Sequence, residues 1–230
     1  MGLETWKVAD QLTDNRGRGW ALTIMGTAAS RLGKAEAQGM LREAIAWSEE
    51  GSDLQNQVVT CARLSHVLAM EGQLEEALTL GWRAASQTHM RRLRHTTSVA
   101  YGAFLTAAAL CRLADVSLDD EAERLVALTL KRGKAYSRCM VCTAPHYHAG
   151  VGAWQLAMGK RGQAVASFSA ASQLAERYGL DGELHDVHAI GHRAFPVRDS
   201  ESDAHGRALT RLRERFAATG AGQETANHVG

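Results

Sequence analysis

Two cysteines and two histidines stand close together in the chain and carry donor atoms that transition metals prefer. Cys139 and Cys142 are three residues apart, and His146 and His148 follow them. Thiolates and imidazoles at such spacing can form a tetrahedral site for zinc or copper. Alternatively, the cysteines are small core residues at the start of a helix. A redox Cys-x-x-Cys motif would need a preceding strand, which this sequence does not predict.

A second group of histidines lies further along the chain. His185, His188 and His192 would share one face of a continuous helix, which is how helices present metal ligands. Glu183 and Asp186 stand beside them and could do acid–base work. Alternatively, this is the solvated face of a polar helix. Both groups flank one predicted helix pair, so stacking could bring them to a single zinc site.

Basic residues cluster at the join between the second and third predicted repeats. Guanidinium groups hold phosphates, nucleotides and acidic peptides through charge-assisted hydrogen bonds. The residues predicted to form this binding patch are Arg83, Arg91, Arg92, Arg94 and His95. Alternatively, the patch is a solvated loop whose charges pair with neighbouring acids such as Glu49 and Glu50. The net charge is only +1, so direct binding to nucleic acid is not expected.

The elements that position these residues are predicted to be helices throughout. Ala, Leu, Arg, Glu and Gln dominate, only two prolines occur, and aromatic residues are scarce. A glycine separates two apolar-periodic runs at Gly33, Gly72 and Gly159. The longer interval between the last two holds a degenerate unit, whose break lies at Asp115. The sequence therefore predicts an all-α fold with four pairs of helices.

The residues around these glycines resemble the tetratricopeptide repeat. After Gly159 come Ala164, Phe168 and Ala171, the small–large–small pattern of the family's second helix. Small residues let the two helices of a pair approach closely. The first helices carry the matching apolar–small pairs Met25-Gly26, Leu64-Ser65 and Val151-Gly152. The repeats are longer than the family's and lack its closing proline, which is similar to the repeat regions of large bacterial transcriptional regulators.

The predicted layout follows from this resemblance. Residues 1–192 form an α-solenoid of tandem antiparallel helical hairpins, 193–202 form a linker, 203–218 form a C-terminal capping helix, and 219–230 form a flexible tail. Asp53, Pro145 and Asp203 are suitable helix starts. The chain shows no signal region or membrane span, so a cytoplasmic location without structural disulfides is expected.

The resemblance implies a regulatory module that binds a protein, a peptide or a small-molecule effector in its concave groove, with a link to transcription control. A non-catalytic role is favoured because no phosphate-binding glycine loop, nucleophile elbow or His-Glu-x-x-His helix occurs. Two alternatives stay open. One is a metal-dependent or small-molecule enzyme that uses the Cys/His residues, and the other is a self-associating scaffold that forms a homodimer. No cofactor is expected beyond the candidate zinc, and no membrane partner is expected.

Overall fold

A computed structural model describes residues 2–91, 93, 96–138 and 140–227 of the chain, without the side chains of 91 and 219–227. The protein is 83% helical and has no strand in these ranges, which confirms the predicted all-α fold. The helices of the described ranges are α1 (Gly2–Gln11), α2 (Asn15–Arg31), α3 (Ala37–Glu50), α4 (Leu54–Glu71), α5 (Leu74–Arg91), α6 (Thr97–Leu113), α7 (Asp120–Ser137), α8 (Ala144–Ala157), α9 (Arg161–Arg177), α10 (Asp181–Ala194) and α11 (Ser200–Asn227).

Aspartate side chains cap several of these helices. Asp53 accepts a hydrogen bond from the backbone N–H of Asn56 at 3.0 Å, which confirms the predicted start of α4. The last helix starts earlier than predicted. It begins at Ser200 rather than Asp203, because the carboxylate of Asp199 already accepts from the backbone N–H of the second helical residue at 2.9 Å.

Short turns with left-handed backbone connect the helices. The three predicted turn glycines, Gly33, Gly72 and Gly159, have φ angles of 70°, 85° and 73°. Glycine adopts this conformation without the steric cost that a Cβ atom brings. Asp115, with φ of 57°, takes the equivalent place between α6 and α7, and aspartate is one of the few other residues that tolerate it. The degenerate unit therefore turns without glycine.

The core forms around α6, in which every residue from Thr97 to Cys111 is buried. Consecutive helices pack on each other, and α4, α6 and α8 also pack in succession. In addition, α10 contacts α2, α4, α6 and α8. Residues distant in sequence therefore meet around α10. Within the described ranges, no helix combines the length and apolar character needed to cross a membrane.

The C-terminal region is more helical than the sequence indicated. The connection between α10 and α11 spans only 195–199, because α10 continues to Ala194 and α11 begins at Ser200. The last helix runs to Asn227 and so includes most of the segment expected to be a flexible tail. Residues 228–230 lie outside the described residues.

Candidate functional site

Charged and polar side chains from four helices meet in the interior next to α10. We call this set the ionic cluster. It consists of Arg31 from α2, Arg63 and His66 from α4, His146 from α8, and Glu183, His185 and Asp186 from α10.

Asp186 is the centre of the ionic cluster, and its side chain is only 3% exposed. Arg31 donates from Nε to Oδ1 at 3.1 Å and from Nη2 to Oδ2 at 2.7 Å. Arg63 donates from Nη1 to Oδ2 at 2.9 Å. Paired hydrogen bonds between a guanidinium and a carboxylate are the strongest and most directional ion pairs in proteins.

Glu183 joins the same two arginines. Its Oε1 accepts from Nη2 of Arg63 at 2.8 Å and from Nη2 of Arg31 at 3.2 Å. Glu183 and Asp186 are three residues apart, so both face the same side of α10. Two carboxylates of one helix therefore bind two guanidinium groups, one on α2 and one on α4.

Two glycines make room for these contacts. The guanidinium of Arg31 occupies the place that a Cβ atom of Gly182 would need. At Gly102 of α6, a Cβ atom would lie 2.6 Å from both the ring and the carbonyl oxygen of His146. Because glycine has no side chain, α6 and α8 can approach until the imidazole of His146 is fully enclosed.

Burial and charge set the protonation of the ionic cluster. Burial alone would raise the pKa of Asp186, but the guanidinium of Arg31 and the neighbouring imidazoles hold it well below its ordinary value. The pKa of Glu183 is likewise lowered by Arg63 and Arg31 against the effect of burial. Burial lowers the pKa of His66 to about 3 and also lowers that of His146. Two cations and two anions therefore face each other beside two neutral imidazoles.

Several buried polar atoms in the ionic cluster have no hydrogen-bond partner. They are both ring nitrogens of His146 and of His185, Nδ1 of His66 and Oε2 of Glu183. A cavity of about 10 Å³ is lined in part by His66, Arg31, Arg63 and Asp186. This volume holds about one water molecule. This cavity is therefore too small for an organic substrate.

His146, Glu183 and Asp186 each place one donor atom within 4.8 Å of the others, as metal ligands would. The positive charges of Arg31 and Arg63 make a metal site here unfavourable. They already neutralise both carboxylates, and like charges 4 Å apart repel by about 4 kcal/mol at the dielectric typical of proteins. A divalent cation would have to displace both guanidinium groups.

The structure separates the predicted metal ligands into several environments. His146 and His185 belong to the ionic cluster. His188 and His192 face α11 instead, where Nδ1 of His188 lies 2.8 Å from Nδ1 of His205. The ring of His148 packs on Tyr147. Cys142 is exposed, and Cys139 lies outside the described residues. Among the described residues, Cys142, His148, His188 and His192 belong to no group of three potential ligands.

The predicted basic patch is only partly described. Arg83 donates to Oε1 of Glu49 at 2.5 Å on the surface, as the solvated alternative implied. Arg91 ends α5, and its side chain lies outside the described residues. Arg92, Arg94 and His95 also lie outside them. The patch therefore stays a prediction.

Sequence reasoning missed the residues that complete the ionic cluster. Arg31 and Arg63 lie 155 and 123 residues from Asp186, and no local pattern connects them. The sequence around Arg63 does indicate a buried ion pair. Arg63 stands between Ala62 and Leu64 in a helix whose neighbouring residues are apolar, and an arginine in such a place needs a buried partner.

Comparison with models of protein families, with curated proteins and with solved structures gives no match.

Proposed function

We propose that this chain is a regulatory binding module built from tetratricopeptide-like helical repeats, and that its inner face binds a helix of a protein or peptide partner. The inner face is the surface that α2, α4, α6 and α8 turn towards α10. The single observation that carries the proposal is the placement of α10 against all four helices. A repeat array of this type would hold a ligand helix against the same four helices.

The packing of three helix pairs supports the repeat architecture. A Cβ atom at Gly26 would lie 2.8 Å from the side chain of Leu41. A Cβ atom at Gly152 would lie 3.0 Å from the ring of Phe168. In the second pair, Oγ of Ser65 donates to the carbonyl oxygen of α5 residue 77 at 2.7 Å. These are the positions at which the tetratricopeptide pattern requires a small residue.

The contacts of α10 support a particular kind of ligand. Three apolar residues of α10 are buried, namely Leu184, Val187 and Ile190. Its two carboxylates, Glu183 and Asp186, bind the guanidinium groups of α2 and α4. An amphipathic helix presents such a combination of side chains to a groove. Helices bind grooves through anchors at such spacing. We expect the partner to carry an amphipathic helix with two carboxylates three residues apart.

The small size of this cavity, about 10 Å³, favours binding over catalysis at the ionic cluster, because the cavity cannot hold an organic substrate. The link to transcription control rests on the resemblance to bacterial regulators alone. Self-association is a second candidate, since Leu3 and Val8 of α1 and Leu12 directly after it are 56%, 55% and 70% exposed.

A peptide of residues 181–194 tests the proposal. It is labelled and titrated by fluorescence anisotropy with the full chain and with the full-chain variant Glu183→Gln/Asp186→Asn. The variant leaves Arg31 and Arg63 without anionic partners, which weakens the hold on its own α10. We expect the peptide to bind the variant at least about tenfold more tightly than the unmodified chain, which is a difference of about 1.4 kcal/mol.

Two controls define the outcome. The variant Asp203→Asn/Glu214→Gln removes two exposed charges of α11 and should bind no more peptide than the unmodified chain. A second peptide of residues 181–194, which carries Glu183→Gln and Asp186→Asn, should bind the full-chain variant Glu183→Gln/Asp186→Asn weakly. Equal binding of the two peptides, or no binding to a variant that keeps its helical circular dichroism, would contradict the proposal. If the double variant does not fold, Glu183→Gln alone takes its place.

A further inference from the structure

A groove of about 470 Å³ lies between α5 and the start of α7. Its apolar walls include Leu78 and Trp82 from α5 and Leu118 from the connection before α7. Two carboxylates, Asp119 and Glu121, also line it. None of the described residues in its walls carries a positive charge. The groove therefore combines an aromatic ring, apolar surface and negative charge.

The two carboxylates of this groove can accept further hydrogen bonds. Oδ1 of Asp119 accepts from the backbone N–H of Ala122 at 2.8 Å and so caps α7. This bond holds the carboxylate in place, while Oδ2 has no hydrogen-bond partner in the part of the chain that the structure describes. Glu121 is exposed and forms no ion pair with a described side chain. Both negative charges are therefore available to a cationic ligand.

Elsewhere in the chain, an aromatic ring and a carboxylate together bind an arginine. Among the described residues, three arginines lie over an aromatic ring and also donate to a carboxylate. They are Arg18 over Trp47 with Asp10, Arg112 over Trp154 with Glu123, and Arg161 over Phe195 with Asp199. The guanidinium carbons lie 4.8, 5.5 and 5.3 Å from the ring centres, and the hydrogen bonds measure 2.8, 2.7 and 2.6 Å.

The physical reason for this arrangement is general. The face of an aromatic ring attracts a cation, and tryptophan attracts it most strongly. A planar guanidinium can lie on the ring and still direct its N–H groups at a carboxylate. An aromatic ring beside a carboxylate is therefore a suitable site for an arginine side chain.

Trp82 lies in a groove with two carboxylates but has no such arginine. No guanidinium among the described side chains lies over its ring. The next residue, Arg83, instead donates to Oε1 of Glu49 at 2.5 Å. The groove thus has the ring and the acids of the three arginine sites, whereas the cation would have to come from another molecule.

We propose that this groove binds an arginine side chain of a partner peptide. The guanidinium lies over the ring of Trp82 and donates to Glu121 and to Oδ2 of Asp119. The aliphatic part of the arginine packs on Leu78 and Leu118. Lysine fits less well, because its ammonium group is a point charge that neither stacks on a ring nor donates in a planar fork.

This arginine groove is separate from the inner face. It is formed by α5 and the start of α7, whereas α2, α4, α6 and α8 form the inner face. The inference is therefore independent of the proposed function. A chain that binds no helix at its inner face can still bind arginine here, and the reverse also holds.

The experiment titrates the full chain, labelled with nitrogen-15, with the blocked peptide Ala-Ala-Arg-Ala-Ala at pH 7 in low salt. We expect the indole N–H signal of Trp82 to shift in a saturable manner, with a dissociation constant of about 1 mM or lower. A matched peptide with lysine should bind at least about threefold more weakly. A matched peptide with citrulline, which has nearly the shape of arginine but no charge, should show no saturable shift.

Variants of the groove test which groups hold the peptide. Glu121→Gln should weaken binding of the arginine peptide at least about fivefold, because it removes a charged acceptor. Trp82→Leu, followed through the backbone amide of Thr79, should weaken it as well, because leucine keeps apolar surface but has no ring. The control is Glu36→Gln, which neutralises an exposed carboxylate at the start of α3 and should leave binding unchanged.

Four results would overturn the inference. They are no saturable shift with the arginine peptide, equal binding of the citrulline peptide, equal binding of the lysine peptide, and a loss of binding in Glu36→Gln as large as that in Glu121→Gln. Trp82 packs partly against the core, so circular dichroism must show that Trp82→Leu is folded. If that variant does not fold, Glu121→Gln decides, because its side chain is exposed.

Discussion

Arg31 and Asp186 lie 155 residues apart in the chain, and two hydrogen bonds of 3.1 and 2.7 Å join them in the interior. The contact connects the second helix of the protein to the tenth. Arg63 of α4 binds the same carboxylate at 2.9 Å. One carboxylate of α10 therefore joins two helices that lie more than 120 residues earlier in the chain.

Removing the central carboxylate should destabilise the protein strongly. Asp186→Ala leaves two guanidinium groups buried without this partner, and breaking a buried ion pair from one side costs about 3–5 kcal/mol. We expect the free energy of unfolding from urea titration to fall by that amount. Glu76→Ala is the matched control, because it breaks an exposed pair with Arg42 and should cost about 1 kcal/mol or less. An equal loss of unfolding free energy in the two variants would contradict the placement of Asp186 at the centre of a buried ion-pair cluster.

The close approach of α6 and α8 depends on Gly102. A Cβ atom there would lie 2.6 Å from the carbonyl oxygen and 2.7 Å from the carbonyl carbon of His146, which are backbone atoms that cannot rotate away. We expect Gly102→Ala to lower the free energy of unfolding by about 1–3 kcal/mol or more.

Gly162→Ala is the control for this substitution. A Cβ atom at Gly162 would have no atom within 4 Å. Alanine is favoured over glycine in helices, so the variant should be neutral or up to about 1 kcal/mol more stable than the unmodified chain. If Gly102→Ala were as stable as Gly162→Ala, the packing of α6 on α8 would differ from the one described.

Stability should decrease in mild acid because of the buried histidines. Burial lowers the pKa of His66 from 6.5 to about 3, so between these values the unfolded chain binds a proton that the folded chain does not. The stability present above pH 6.5 is therefore lost as pH falls, by up to about 1.4 kcal/mol per pH unit for one such group. The pKa of His146 is lowered in the same direction.

Urea titrations at intervals from pH 7.5 to pH 5 measure this dependence. The carboxylates of the ionic cluster have lowered pKa values, so they stay charged across this range and do not contribute to the slope. His66→Gln should make the slope shallower. A free energy of unfolding that stays constant or rises towards pH 5 would contradict the neutral state assigned to His66.

The apolar face of α1 offers a test of self-association. Val8 and Leu12 line a groove of about 410 Å³ together with Asp14 and Gly17. Apolar side chains so exposed on α1 and directly after it favour a contact with a second copy. We expect multi-angle light scattering to show a dimer at high concentration and a monomer for Val8→Glu. Thr79→Glu in α5 is the control and should not change the mass. A monomer at every concentration would exclude this interface.

Local features of the fold could be predicted from the sequence because their causes are local. The position of Gly33, Gly72 and Gly159 between apolar-periodic runs predicts turns, and all three have positive φ. Asp53 was identified as a helix start, and it caps α4. The start of α11 was placed three residues late, because Asp199 supplies a cap that pattern reasoning assigned to the linker.

The site could be predicted only in part. Residue type and spacing predict His146, His185, Glu183 and Asp186 as candidate site residues, and the structure brings them together in the ionic cluster. Their charge partners could not be found, because tertiary packing rather than spacing brings α2 and α4 to α10. His205 was missed for the same reason, since it lies on a different helix from the histidines that it contacts.

The central claim is that α10 is a displaceable occupant of the inner face, and native-state hydrogen exchange of the full chain tests it most directly. The unpartnered atoms of the ionic cluster weaken the docking of α10, whereas α6 is wholly enclosed. We predict that the amides of 181–194 exchange through an opening of lower free energy than those of 97–113, while α2 and α4 stay protected. Identical protection of both segments, with the same dependence on denaturant, would show that α10 leaves only when the whole protein unfolds and would contradict the claim.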